Sequence, residues 1–234
     1  MKKLTLIAVI LLSTATLFSQ NIEDESVLSP QQKSIIAISS LTAKGDLLAL
    51  KTELNAGLDN GLTVNQIKET LVHLYAYCGF PRSIRGLQTY MEVLDERKAK
   101  GINDILGKEA SPITDDRGKF ERGKEILGKL TGVPQDGQKV GYAEFAPIIE
   151  LFLKEHLFAD IFERDVLTYG ERELVTISVI TAIGNAEPML RSHMNICLNV
   201  DLTPNQLQQF VEVIKNVIGN DEANSAQAVL DEVL

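Results

Sequence analysis

The chain has no tryptophan, only two cysteines and only three histidines among its 234 residues. Cys78 and Cys197 are isolated and form no Cys-x-x-Cys pair, which excludes a disulfide framework and a dithiol motif. Whether the two cysteines pair with each other is left open by the sequence. The histidines show neither the His-x-His nor the His-x-x-x-His pattern of a metal site. We therefore expect neither a metal ion nor another cofactor.

Basic residues are also few. The 23 lysines and arginines are outnumbered by 32 aspartates and glutamates, which gives a net charge of −9. A chain with this charge is repelled by nucleic-acid phosphates and by anionic lipid surfaces. We therefore expect no nucleic-acid partner, and no membrane partner for the mature protein.

Long hydrophobic runs are absent apart from one at the beginning of the chain. A nearly unbroken apolar run from Leu4 to Leu12 follows the basic pair Lys2 and Lys3. This run is too short to cross a bilayer and is typical of a cleaved signal peptide. We predict a signal peptide at 1–19 and an exported protein, with a bacterial periplasm as the expected compartment.

Two stretches of the sequence recur at a nearly constant distance along the chain. Residues 38–45 match residues 177–184 with five identities in eight, and residues 62–67 match residues 202–207 with four identities in six. The order and the spacing of the two matches agree. This agreement indicates an internal duplication, which determines the architecture.

Each repeat shows the apolar spacing of helices and almost no strand-like alternation. The sequence therefore predicts an all-α fold built as a tandem duplication. We expect domains at 20–98 and 117–234, joined by a linker at 99–116. Thr63 and Thr203 are each followed three residues later by glutamine, a pattern typical of helix starts.

Three polar side chains of the first repeat fall on one helical stripe. Glu69, His73 and Tyr77 are spaced four residues apart, and the segment is interrupted soon afterwards by Gly79 and Pro81. A carboxylate, an imidazole and a phenol on one helix face form an acid–base pair with a hydrogen-bonding neighbour. The alternative is a solvated polar face, because the apolar residues of this helix lie on another side.

With this pattern the chain resembles the carboxymuconolactone decarboxylase family, which also contains the alkyl hydroperoxidase D-like proteins. Residues 117–130 and 145–210 resemble the same family independently, so the resemblance covers nearly all of the mature chain as two fused copies. It implies an all-helical fold of intertwined domain pairs. For a chain with two domains it implies a homotrimer.

The resemblance also implies which residues form the site. Glu69 and His73 stand where the family has its acid and its histidine, and His193 stands at a second histidine position, although a histidine on an apolar face is often a core residue. The second repeat has lost the polar stripe, because the positions equivalent to Glu69, His73, Tyr77 and Pro81 hold Gln209, Val213, Val217 and Asp221. We therefore expect one composite site per chain, with His193 supplied by the second repeat or by a neighbouring subunit. Replacement of Glu69 or His73 is then expected to abolish turnover with little change in thermal stability.

Three further residues have a functional and a structural interpretation. Arg82 and Arg85 lie in the first helical turn after Pro81, where they could bind substrate carboxylates or simply balance an acidic surface. Hydroperoxidase relatives use a Cys-x-x-Cys pair, but Cys78 has no second cysteine at that spacing. We interpret Cys78 as a buried structural thiol, with a lone peroxidatic thiol as the alternative.

The remaining histidine, His156, shares a helical stripe with Phe145, Ile149 and Phe152, and we expect it in the core. It lies in the segment 142–163, which we predict to be helical.

The leading functional interpretation is a cofactor-independent, decarboxylase-like lyase that acts on a small carboxylated lactone or ring. In this interpretation His73 moves a proton, Glu69 sets its tautomer, and His193 or Tyr77 stabilises an enolate-like oxygen. One alternative is a peroxiredoxin-like alkylhydroperoxidase activity at Cys78. Another is a helical oligomer that binds a small acidic ligand without catalysis.

Overall fold

The computed structural model describes residues 27–137 and 139–234, so the predicted signal peptide at 1–19 lies outside the described residues. The regular elements of the described residues are helical, as predicted. They are α1 (Pro30–Lys44), α2 (Leu47–Asp59), α3 (Val64–His73), α4 (Tyr75–Ala99), α5 (Lys119–Thr131), α6 (Tyr142–Phe145), α7 (Pro147–Phe152), a π-helix (Leu153–Ile161), α8 (Tyr169–Ile183), α9 (Glu187–Asn199), α10 (Pro204–Ile218) and α11 (Asn220–Val233). None of the helices in these two ranges is long and apolar enough to cross a membrane.

Two helices of each repeat, α1 and α3 in the first and α8 and α10 in the second, begin in the same way. In each repeat a hydroxyl side chain accepts a hydrogen bond from the third residue of the helix, whose side chain bonds back to the cap. The four capping residues are Ser29, Thr63, Thr168 and Thr203. Two of them, Thr63 and Thr203, are the helix starts that the sequence predicts. Local sequence therefore determines where these helices begin.

The centre of the fold is the pair of equivalent helices α1 and α8, which pack against each other. Both are buried on all sides over residues 34–43 and 172–182. The remaining helices of each repeat surround this pair. In addition, α10 of the second repeat packs on α1, while α3 and α4 of the first repeat pack on α8. The two repeats therefore share one hydrophobic core, and the polar face of α3 lies against the second repeat.

The predicted stripe of Glu69, His73 and Tyr77 is carried by two helices. Helix α3 ends at His73, and α4 begins at Tyr75 after the single residue Leu74, whose backbone is itself right-handed helical. Within α4 the backbone leaves the helical region at Gly79, which has φ 79° and ψ 162°. This conformation suits glycine because it lacks Cβ, and Pro81 then restarts the helix.

Helix α5 and the π-helix form a second, smaller core at one end of the molecule. They approach so closely that a Cβ atom at Gly123 would lie 1.8 Å from the carbonyl oxygen of Lys154. The segment predicted as one helix over 142–163 is instead three elements, because Pro147 interrupts it and a π-helix replaces its last part.

The prediction that His156 lies in the core is wrong. His156 is half exposed and its Nδ1 lies 3.0 Å from Asp160 Oδ2. The other members of its stripe, Phe145, Ile149 and Phe152, are also exposed. The reason is that the π-helix packs on α5 through a different face, which carries Leu157, Phe158 and Ile161.

The segment between the repeats contains no regular element from 102 to 116, but it is attached to both repeats. The carbonyl oxygens of Ile105 and Leu106 accept hydrogen bonds from the first two backbone amides of α3 at 2.9 Å. The side chain of Asp165 in the second repeat accepts from Ser111. The segment therefore supplies acceptors that the start of α3 would otherwise lack.

Candidate active site

Glu69 lies on α3 and is buried, with 3% of its surface exposed. Arg164 binds its carboxylate with two nitrogens, Nε at 2.9 Å from Oε1 and Nη2 at 3.0 Å from Oε2. The fully buried Arg172 adds a third contact, from Nη2 to Oε1 at 2.8 Å. Paired bonds of this type satisfy a buried carboxylate that water cannot reach. The predicted direct contact between Glu69 and the imidazole is replaced by Arg172, which lies between the two groups and bonds both.

His73 is completely buried, and both of its ring nitrogens have partners. Nδ1 lies 3.1 Å from Arg172 Nη1, and Nε2 lies 3.0 Å from Thr176 Oγ1. A guanidinium group can only donate, so Nδ1 must be an unprotonated acceptor and the ring proton must be on Nε2. His73 is therefore held as a neutral imidazole that donates to Thr176.

The charge state of His73 follows from the same surroundings. Burial lowers its pKa well below the usual value, and the nearby Arg172 and His193 lower it further. An imidazole with both nitrogens occupied and no solvent contact is poorly placed to exchange protons with a substrate. This geometry favours a positioning role for His73.

The buried, neutral state of His73 predicts that the stability of the protein depends on pH. In the unfolded chain His73 binds a proton below a pH of about 6.5, whereas the folded protein leaves it neutral at that pH. Below this value the unfolded state binds the extra proton, so the free energy of unfolding should fall as the pH falls, by up to about 1.4 kcal/mol per pH unit from this residue. Urea denaturation of wild type and of His73→Gln between pH 7.5 and pH 5 tests this. Equal pH slopes in the two proteins would contradict the assignment.

Tyr77 lies directly beside His73, with their ring centroids 5.6 Å apart. Its hydroxyl group is buried next to Thr176 but makes no hydrogen bond of ordinary geometry. Burial raises the pKa of Tyr77 above its usual range, and the charge of Glu173 raises it further. Tyr77 is therefore a neutral donor with an unused proton, which is an arrangement suited to binding an oxygen atom.

His193 of the same chain lies in the second repeat and packs against Tyr77, so it joins the cluster formed by Glu69, His73, Tyr77 and their partners. Its ring stands edge-on to Tyr77 with centroids 5.9 Å apart, and its Nδ1 lies 2.8 Å from Oε2 of the fully buried Glu173. The side chain of His193 is 15% exposed. The other carboxylate oxygen of Glu173 is buried without a hydrogen-bond partner. The pair therefore combines a solvent-accessible imidazole with a shielded carboxylate that orients it.

The four residues predicted to be catalytic, Glu69, His73, Tyr77 and His193, are thus brought together at the contact between the repeats. Four cavities formed by the described residues are lined by other parts of the chain. Glu69 and His73 are buried, so within the cluster the solvent reaches the edge of His193 and the side chain of Arg164. Among residues 27–137 and 139–234, no group of three or more metal-binding side chains is positioned to hold a metal ion.

The predicted substrate-binding arginines lie elsewhere. Arg82 is exposed and its guanidinium packs over the backbone of Gly45, while Arg85 donates to Gln88 on the surface of α4. Their predicted role in binding substrate stays a prediction. The arginines found in the cluster are Arg164 and Arg172.

The two cysteines are free thiols in the structure. Cys78 is partly buried and its Sγ lies 3.3 Å from the carbonyl oxygen of Leu74. Burial raises the pKa of Cys78 to about 11, so the thiolate is a minor species at neutral pH. Cys197 is fully buried, and burial raises its pKa as well.

Comparison with known proteins agrees with this architecture. The model of the carboxymuconolactone decarboxylase family matches the chain twice, over residues 11–89 and 150–232. The chain belongs to the carboxymuconolactone decarboxylase family. It is also similar to the 4-carboxymuconolactone decarboxylase of Acinetobacter baylyi (strain ATCC 33305 / BD413 / ADP1), with 24% identity over 119 residues, which are 50% of this chain and 88% of that protein. The double match and the pairing of α1 with α8 together show that the chain is a tandem duplication of the family's helical fold.

Sequence reasoning missed four members of the cluster, Arg164, Arg172, Glu173 and Thr176. A signal for two of them was present, because Arg172 and Glu173 are adjacent opposite charges in the first turns of a helix that is otherwise largely apolar. Charges on a helix buried on all sides need partners from elsewhere in the fold. Their side-chain partners Glu69, His73 and His193 lie 20 to 103 residues away along the chain, which no local pattern could indicate.

Proposed function

We propose that this protein is an exported, decarboxylase-like lyase that uses acid–base chemistry, without a cofactor, on a small carboxylated lactone or ring. The observation that supports this most is the pair of His193 and Glu173 beside the unpartnered hydroxyl of Tyr77. The membership of the chain in the carboxymuconolactone decarboxylase family supports the class of reaction.

In this proposal His193 is the residue that moves the proton. Glu173 accepts a hydrogen bond from the Nδ1–H of His193, so Nε2 is the nitrogen that takes up the proton of the substrate's carboxyl group, and the carboxylate of Glu173 stabilises the imidazolium that results. Loss of carbon dioxide from the substrate leaves an electron pair as an enolate, and the hydroxyl of Tyr77 donates to its oxygen. The imidazolium of His193 then returns a proton to carbon. Glu69 and His73 hold the surrounding helices in position.

A screen of small carboxylated lactones tests the proposal, with substrate loss and carbon dioxide release as readouts. We expect turnover by the wild-type protein and a large loss in His193→Gln. Equal turnover in the two proteins would contradict the assignment of the base.

One observation favours a second candidate, a non-catalytic oligomer that binds a small acidic ligand. Most of the cluster is buried, and four cavities formed by the described residues are lined by residues outside it. In that case the network of Glu69, Arg164 and Arg172 would serve stability alone. Ligand binding without turnover in the same screen would favour this candidate. For the peroxidase alternative, the high pKa of Cys78 removes the thiolate that it would need at neutral pH.

We also propose that the chain forms a homotrimer. Helices α6 and α7 contain no buried residue, and large apolar side chains are exposed there and on α4. They include Phe80, Ile84, Met91, Tyr142, Phe145, Ile148, Ile149 and Phe152. Exposed apolar surface of this kind is typical of an interface. Sedimentation equilibrium should give three chains per particle, and Phe145→Asp should lower that number. A monomeric wild type would contradict the proposal.

A further inference from the structure

Thr176 occupies an unusual position in the cluster, because its side chain contacts His73 and lies next to Tyr77, whose ring packs against His193. It is fully buried on α8, one helical turn after Arg172. Its Oγ1 donates to the carbonyl oxygen of Arg172 at 2.9 Å, which is a common arrangement for threonine inside a helix. The same oxygen also accepts the Nε2 proton of His73 at 3.0 Å.

The hydrogen-bonding capacity of this hydroxyl is used from both sides of the site. A threonine hydroxyl has one proton and two acceptor lone pairs. The proton goes to the carbonyl oxygen of Arg172, and one lone pair accepts the Nε2 proton of His73. The hydroxyl of Tyr77 lies beside Thr176 but makes no hydrogen bond of ordinary geometry with it. Valine would fill the same space on α8 but would offer no acceptor for the Nε2 proton of His73.

The two hydrogen bonds that hold His73 also affect the position of His193, whose imidazole is partly exposed. His73 is held at its two nitrogens by side chains one turn apart on α8, so its ring cannot rotate. The ring of His73 packs beside Tyr77, and Tyr77 packs edge-on against His193. A change in the orientation of the His73 ring therefore moves Tyr77, against which His193 packs.

We propose that Thr176 is a positioning residue of this site: its hydroxyl fixes the proton-bearing edge of His73 and, through that ring, the placement of Tyr77 against His193. This inference rests on the proposed function for its effect on turnover, but its structural part stands independently. The other buried hydroxyls on α8 are bonded differently, since Ser178 donates to the carbonyl oxygen of Leu174 and Thr181 has no partner.

The test uses three variants of the full chain. Thr176→Val removes the acceptor with little change in volume, and Thr176→Ser retains it. Thr181→Val is the matched control, because Thr181 is a buried threonine on the same helix whose hydroxyl makes no hydrogen bond. Nitrogen-15 NMR of the His73 ring reports which nitrogen carries the proton and how fast that proton exchanges with water.

We expect the wild type, Thr176→Ser and Thr181→Val to show a slowly exchanging proton on Nε2 of His73. In Thr176→Val that proton should exchange at least tenfold faster or lose its signal. An unchanged, protected proton in Thr176→Val would overturn the proposal. If Thr176→Val does not fold, the wild-type spectrum decides, because a His73 proton on Nδ1, or one in fast exchange, would equally overturn it.

Turnover provides a separate readout once a substrate is known. We expect Thr176→Val to lower kcat by about tenfold with little change in KM, since small misplacements of catalytic groups have effects of at least this size. Thr176→Ser should restore the rate. Because the NMR result requires no substrate, a failure of the proposed function and a failure of this inference are distinguishable.

Discussion

Replacing Glu69 by glutamine is expected to lower the free energy of unfolding by about 3–5 kcal/mol, the range typical for removing one partner of a buried ion pair. The variant keeps the size of the side chain but removes the charge that Arg164 and Arg172 share. Arg172 is completely buried and would be left with an uncompensated positive charge. Chemical denaturation of the two proteins at pH 7 measures the difference.

The matched control is Glu96→Gln. Glu96 is likewise an ion-paired glutamate, but its single partner Lys51 and the pair itself are on the surface, where such contacts contribute little. We expect its unfolding curve to overlay that of the wild type. A Glu69→Gln variant as stable as the wild type would show that the network is not needed for folding. The sequence alone predicted little change in stability on replacing Glu69, because it assigned this residue to catalysis on a helix face away from the apolar stripe.

Replacing His193 by glutamine is expected to lower turnover by about a hundred- to ten-thousandfold, the usual contribution of a positioned acid–base group. Glutamine can still donate to Glu173 through its amide, so the buried carboxylate keeps a partner. It cannot accept and return a proton. Stability should change little, because His193 lies at the edge of the cluster. The measurement is kcat on the substrate found in the lactone screen.

His156→Gln serves as the control for this variant, because His156 also pairs with a carboxylate, Asp160, but lies on the π-helix surface. We expect its kcat to equal that of the wild type. If His73→Gln, refolded and shown to be native, lost more activity than His193→Gln, the buried imidazole would be the base instead.

The sequence predicted the helices of this fold well because the information for them is local. Capping residues such as Thr63 and Thr203, together with the apolar periodicity, determine where helices begin and which face they bury. The region after Gly141 was harder, since a π-helix has i→i+5 hydrogen bonds and more residues per turn than an α-helix, and it has no simple sequence pattern. That is why the direction of the stripe containing His156 was predicted wrongly.

The chemical character of the site was visible in the sequence, but its connections were not. Glu69, His73, Tyr77 and His193 could be selected from spacing and from family resemblance. Whether an imidazole acts as a base or only positions its neighbours depends on which groups form hydrogen bonds with its nitrogens. For His73 these groups are Arg172 and Thr176, about a hundred residues further along the chain.

By itself, the sequence determined the class of the fold and the duplication, because periodicity and internal matches are properties of a chain read in order. The tertiary structure alone decided that Glu69 is bound by two arginines, that His73 is neutral and enclosed, and that His193 is the accessible imidazole. The physical reason is that burial and charge pairing depend on distances in space. The packing of α3 against α8 creates those distances only when both repeats are folded together.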